Sequence, residues 1–298
     1  MTTSDEMDDA KFPGYVAERL SSVPGVMAVA LGGSRAAGTQ RPDSDWDFSL
    51  YYRGRFEPHD LRALGWPGEI SRIGGWGGGV FNGGAWLRAD GRPVDVHYRD
   101  LDEVEWHLAE AMEGRFSIER LLFHLAGVPT YIVVAELAVN VVLYGGLPAP
   151  GGYPDRLRQA AHQRWLADAR HTLGYARSAY AGRGRLTETA GAVALAFAQG
   201  AHATLAARGE WITNEKALLD RAEFRRADEV LGGLTADAGS LVAAASQRQS
   251  ASGDAPCVCP CVCWCPVIVA DPFTQPIARA CHQDNYPVAG RLRPVPPR

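Results

Sequence analysis

The sequence predicts an α+β fold: an N-terminal mixed β-sheet domain with flanking helices over residues 1–115, an all-helical domain over 116–248, and an irregular C-terminal tail over 249–298. Three observations predict it. Short apolar runs punctuated by glycine fill the first hundred residues, as strands do. From about residue 100 the apolar residues recur at helical spacing. The last fifty residues hold nine of the 19 prolines and all six cysteines, with neither period.

In chain order, a short helix over 13–22 precedes "VMAVAL", a buried strand that stops at Gly32-Gly33-Ser34-Arg35. A second strand follows over about 45–52, in "DSDWDFSLYY". It carries acids on one face and aromatic and aliphatic residues on the other. "EPHDLRALG" reads as helical, and a glycine-rich loop covers 74–79. The "ADGR" turn then joins strands near 80–88 and 92–98 into a hairpin. Helical spacing runs through 101–112, 117–127, 130–145, 154–181, 187–209 and 213–222. The tail, with "PCVCPCVCWC", reads as a disordered appendage. Its C-x-C spacing is too close and regular for the usual structural zinc pairs.

Composition narrows the function classes. No continuous apolar run reaches the roughly 18 residues of a membrane span, and the N-terminus is too acidic for a signal peptide, so a cytoplasmic protein is expected. A formal charge of −4, with no basic block, argues against a nucleic-acid partner. Lysine occurs only at Lys11 and Lys216; arginine fills the other basic positions.

Asp45 and Asp47, two apart on a strand, point the same way about 7 Å apart. Carboxylates so held repel unless a cation lies between them, and hard oxygen ligands suit Mg²⁺. Asp95, in "PVDVHYRD", projects away from the apolar face set by Val94 and Val96. If its strand neighbours the first, the three carboxylates converge and can hold two ions about 3.5–4 Å apart. His97 shares that face but is a poorer Mg²⁺ ligand. A strand that ends in Gly-Gly-Ser-Arg leaves backbone N–H groups facing open space. Gly33, Ser34 and Arg35 are therefore candidate nucleotide-binding residues, with Gly33 and Ser34 cradling the triphosphate. Lys216, in "WITNEK", is a candidate phosphate-reaching ammonium.

"GGS", "DSDWDFSL" and the later "VDV" together resemble the nucleotidyltransferase superfamily of DNA polymerase β. More narrowly, they resemble bacterial antibiotic nucleotidyltransferases such as the kanamycin and lincosamide enzymes. The resemblance lies in the first hundred residues. It implies an enzyme with two Mg²⁺ ions and an NTP donor, ATP foremost. A hydroxyl of a small acceptor, an antibiotic in the narrower reading, attacks the α-phosphorus and pyrophosphate leaves. Asp45 and Asp47 would bridge both ions, and Asp95 would hold the one that activates the hydroxyl. The resemblance also implies a further carboxylate as general base. Glu136, an acid inside the apolar "VVAELAVN", is the preferred candidate; Glu188, Glu210 and Glu215 compete. The expected partners are the NTP and the small hydroxylated acceptor, with a homodimer allowed. An alternative is a toxin–antitoxin-type module with a HEPN-like helical half acting on protein or RNA, for which Arg156/His162 and Arg164/His171 fit the Arg-x(4–6)-His spacing.

Overall fold

Alternation along the N-terminal strands creates two faces that must both be covered. In the computed structural model, which describes residues 7–246, they form one mixed six-stranded sheet. Helix α1 (Phe12–Ser21) is followed by β1 (Val26–Leu31), a four-residue α2 (Gly33–Ala36) and β2 (Trp46–Tyr52). A 3-10 turn (Pro58–Leu64) leads to β3 (Gly68–Ile70), β4 (Gly84–Ala89) and β5 (Arg92–Asp100). The order is β3-β4-β5-β2-β1, with one more strand beyond β1; β2 and β5 run parallel and the other pairs antiparallel. Burial puts Phe48 and Leu50 of β2 and Val94 and Val96 of β5 against Phe12, Val16 and Leu20 of α1. That face packs into one hydrophobic core.

The opposite face is covered by later segments. Helix α3 (Leu101–Met112) starts at Asp100, whose side chain accepts from the Asp102 N–H and caps the helix. Helix α4 (Ile132–Val139) lies next to α3, and α5 (Asp155–Tyr175) pairs with α6 (Leu186–Arg208). Short helices α7 (Leu218–Arg221), α8 (Arg226–Gly232) and α9 (Ala238–Ala245) complete the helical part. Ala28, Ala30 and Tyr51 of the sheet share one core with Val133, Leu157, Trp165 and Ala203. The described residues accordingly belong to one compact unit.

Three expected helices come out differently. Over 117–127 the chain forms a two-stranded pair instead, β6 (Ile118–Glu119) with β7 (Val128–Pro129). Gly127 at φ +88° and Pro129 cannot continue a helix, and the Glu119 carboxylate accepts the Val80 N–H instead of facing solvent. Over 130–145 the helix stops at Val139, Asn140 turns extended, and β8 (Val141–Tyr144) pairs with β1 at the sheet edge. The β-branched Val141-Val142 pair suits a strand, and the open edge of β1 supplies its partner. Over 213–222 only α7 is helical, which leaves 213–217 as a loop.

Helix α6 is long and apolar enough to cross a membrane by composition, but 56% of its apolar window is buried inside the protein. The tail expectations, including the cysteines, fall outside the described residues.

Candidate active site

The parallel register of β2 and β5 sets Asp47 beside Asp95, Ser49 beside His97 and Tyr51 beside Arg99. Neighbouring strands lie about 4.8 Å apart, so the two aspartates stand side by side on the face away from α1. Asp45 precedes the strand by one residue.

The turn after β1 is laid directly on this pair. Gly32 N–H donates to the Asp47 carbonyl at 2.8 Å. Gly33 takes φ +63°, and a Cβ there would sit 1.9 Å from Asp47 Oδ2. Glycine is thus required twice, for its conformation and for the approach. Ser34 is half-buried in the first turn of α2, and its hydroxyl has no hydrogen-bond partner among the described residues.

Arg35 does not face an open nucleotide site. Its Nη2 donates to the Ser44 carbonyl at 2.8 Å, and its Nε is 3.2 Å from that oxygen and 3.3 Å from the Asp45 carbonyl. Its guanidinium lies 3.8 Å from the centre of the Trp46 ring. Arg35 clamps the 41–45 loop onto α2 and so positions Asp45, and its Nη1 lies 3.8 Å from Asp9 Oδ2.

Electrostatics couple the acids. Burial pushes Asp95 up to about 6, helped by Asp47 and Asp45 and opposed by Lys216. Burial also raises Asp47; Lys216 and Arg35 oppose the rise, while Asp45 and Glu136 add to it. Lys216, exposed in the loop before α7, therefore acts on both carboxylates from a segment far away in sequence. It makes no ion pair within 4 Å among the described residues.

Convergence of the three carboxylates is incomplete: among the described residues no group of three or more His, Cys, Asp or Glu is arranged to hold a metal ion. The donor chemistry nevertheless fits Mg²⁺. The set is all oxygen, and Asp95 is held towards protonation by burial and by its acidic neighbours, a condition a divalent cation would relieve.

Glu136 is corrected. Its two oxygens accept from Arg99 Nε at 2.7 Å and Nη2 at 2.6 Å, and both side chains are buried. A carboxylate held by both oxygens on a guanidinium is not free to take a proton from substrate. The competitors are also engaged. Glu215 accepts from the Leu125 and Ala126 N–H groups and lies 3.5 Å from His202; Glu210 pairs with Arg221, and Glu188 with Arg185. His97 sits edge-on to Trp76 and Phe81, and burial pushes it down to about 4, so it is neutral near pH 7. In the helical half Arg156 pairs with Glu113, Arg164 with Asp168, and His162 meets the Ala203 carbonyl.

Two features escaped the sequence reading. Asn140 Nδ2 lies 3.4 Å from Ser49 Oγ, beneath the Gly32 turn. Trp86, opposite Asp95 across the β4–β5 ladder, stands half exposed on the acid face, and Trp76 of the glycine-rich loop stacks on it. Alternation in "GAWLRA" was the available signal for Trp86, since Ala85 and Leu87 mark the buried face.

The description "nucleotidyltransferase domain" belongs to a family model that matches residues 12–77, less than half of the chain. No curated protein matches the chain. Among solved structures, a nucleotidyltransferase-like protein from Exiguobacterium sibiricum 255-15 is similar at a TM-score of 0.38 and 10% identity, over 79% of this chain and 72% of that one. The segment running from α1 through the Gly33 turn and the Asp45 and Asp47 acids thus carries a nucleotidyltransferase domain match.

Proposed function

We propose that the protein is an Mg²⁺-dependent nucleotidyltransferase that moves a nucleoside monophosphate from an NTP, ATP foremost, to a hydroxyl of a small acceptor. The observation that carries this reading is the Asp47–Asp95 pair lying under a turn whose Gly33 touches Asp47. A triphosphate settles against the N–H groups and the Ser34 hydroxyl of that turn. Lys216 contributes a positive charge that favours the ionised form of both carboxylates. Asp45, Asp47 and Asp95 would hold the Mg²⁺, which when bound neutralises phosphate charge and lowers the pKa of the attacking hydroxyl.

In the transfer, the acceptor oxygen forms a bond to the α-phosphorus as the bond from that phosphorus to its β-bridging oxygen breaks. Pyrophosphate departs with the electron pair. In this reading Asp95, beside Asp47, takes the hydroxyl proton, and Glu136, held by both oxygens on Arg99, does not. The acidic formal charge supports a small acceptor over a polynucleotide.

The test is calorimetric titration of ATP, GTP, CTP and UTP, each with and without Mg²⁺, into wild type and Asp47→Ala. The expected result is Mg²⁺-dependent binding of one preferred triphosphate, weakened at least tenfold in the variant. Binding of none of the four by folded wild type, or equal binding by the variant, overturns the proposal.

A further inference from the structure

The sheet order places the acids of β2 and β5 between two different neighbours: the Gly33 turn after β1 on one side and Trp86 of β4 on the other. In-line displacement needs the leaving and attacking oxygens on opposite sides of the phosphorus. If the triphosphate occupies the Gly33 side, the acceptor enters over β4. This inference rests on the nucleotidyl-transfer reading.

That side is built for a ring. Trp86 is 49% exposed although it lies on the acid face, and Trp76 stacks on it with centroids 5.0 Å apart and planes at 28°. Gly84 lets the Trp76 indole lie across the sheet, because a Cβ there would come within 2.2 Å of it. Gly77, Gly78 and Gly79, at φ +107°, +84° and +67°, carry the loop away from the indole, and Glu119 pins its end through the Val80 N–H. Behind Trp76 opens a cavity of about 300 Å³, lined also by Phe81, Leu121 and Val128, with Glu119 and Arg120 as its charged groups.

The geometry points to the Trp76–Trp86 pair and the adjoining cavity as the acceptor subsite, where a compact, uncharged or cationic ring alcohol stacks with its hydroxyl towards Asp95. Size supports a molecule of one or two rings, since the cavity has the volume of roughly ten liquid waters. Indole faces are electron-rich and attract C–H faces or cations, and Asp95, opposite Trp86, disfavours an anion at that end of the subsite.

Saturation-transfer NMR on the full chain, with methyl glucoside, benzyl alcohol, glucosamine and glucuronate as probes, tests this. Wild type, Trp86→Ala, Trp76→Ala and the stack-preserving Trp86→Phe would be compared, each checked by melting temperature and by triphosphate titration. The expected result is transfer to at least one uncharged or cationic ring and none to glucuronate. That transfer should be lost in both alanine variants and kept in Trp86→Phe, while triphosphate affinity changes less than threefold. No transfer to any uncharged or cationic probe, transfer unchanged in both alanine variants, or preference for glucuronate overturns the inference. Those outcomes with intact triphosphate binding remove only the subsite; loss of wild-type triphosphate binding removes the transferase reading instead.

Discussion

Replacing Glu136 with glutamine keeps its shape and removes the charge that Arg99 faces. Both side chains are buried, and the two nitrogen–oxygen contacts of 2.6 and 2.7 Å make the pair bidentate. Burial, which lowers the Arg99 pKa, is outweighed by Glu136, so the guanidinium stays charged. Its remaining partners are the Val80 and Tyr98 carbonyls and the Phe81 ring, none of them charged. Removing one member of a buried ion pair costs about 3–5 kcal/mol, because the other charge is stranded. For a chain of this size that lowers the melting temperature by roughly 5–10 °C. Differential scanning calorimetry of Glu136→Gln and of the apolar double variant Arg99→Met/Glu136→Leu measures it, and the double variant should recover most of the loss. A Glu136→Gln protein that melts like wild type but has lost nucleotidyl transfer would refute the structural assignment and restore Glu136 as general base.

Two further outcomes follow from the same geometry. Gly33→Ala forces a side chain into a left-handed conformation, at about 1–2 kcal/mol, and drives its Cβ into Asp47 Oδ2. Triphosphate affinity should fall at least tenfold in calorimetry with only a modest loss of thermal stability; unchanged affinity would show that the turn does not hold the phosphates. Asp95 is raised from 3.8 to about 6 on folding, so between those pH values the unfolded chain has released a proton that the native protein keeps. Native stability without metal therefore falls as pH rises through this window. Asp95→Asn should flatten that slope in melting curves taken in a metal chelator, and wild-type Mg²⁺ affinity should rise over the same range. A wild-type slope identical to that of the variant would contradict the assignment.

Much of the candidate site was legible because its signals are local. A strand ending in Gly-Gly-Ser-Arg, an Asp-x-Asp two residues apart and a later acid between valines are each readable from period and residue type. Lys216 was singled out by composition, and the structure brings its charge to bear on Asp47 and Asp95. Glu136 and Arg35 share one feature: a charge in an apolar or glycine-rich stretch signals a partner, but does not say whether that partner is a substrate or another residue. Arg99 and the Ser44 and Asp45 carbonyls took those roles.

The helical spacing of 117–127 and 130–145 was real as a pattern, yet both segments paired as strands in part. Short apolar runs satisfy either period, and the open edge of β1 decided the second of them.

The sequence by itself determined the α+β class, the two faces of β2 and β5, and the residue types available for phosphate and metal chemistry. These follow from side-chain periodicity and backbone freedom, which act over a few residues. Only the tertiary structure decided that Asp47 stands beside Asp95, that Glu136 neutralises Arg99, and that Trp76 lies on Trp86. Each of these depends on strand register or on loops closed across the chain, and such contacts are selected by the packing of the whole core rather than by any local preference.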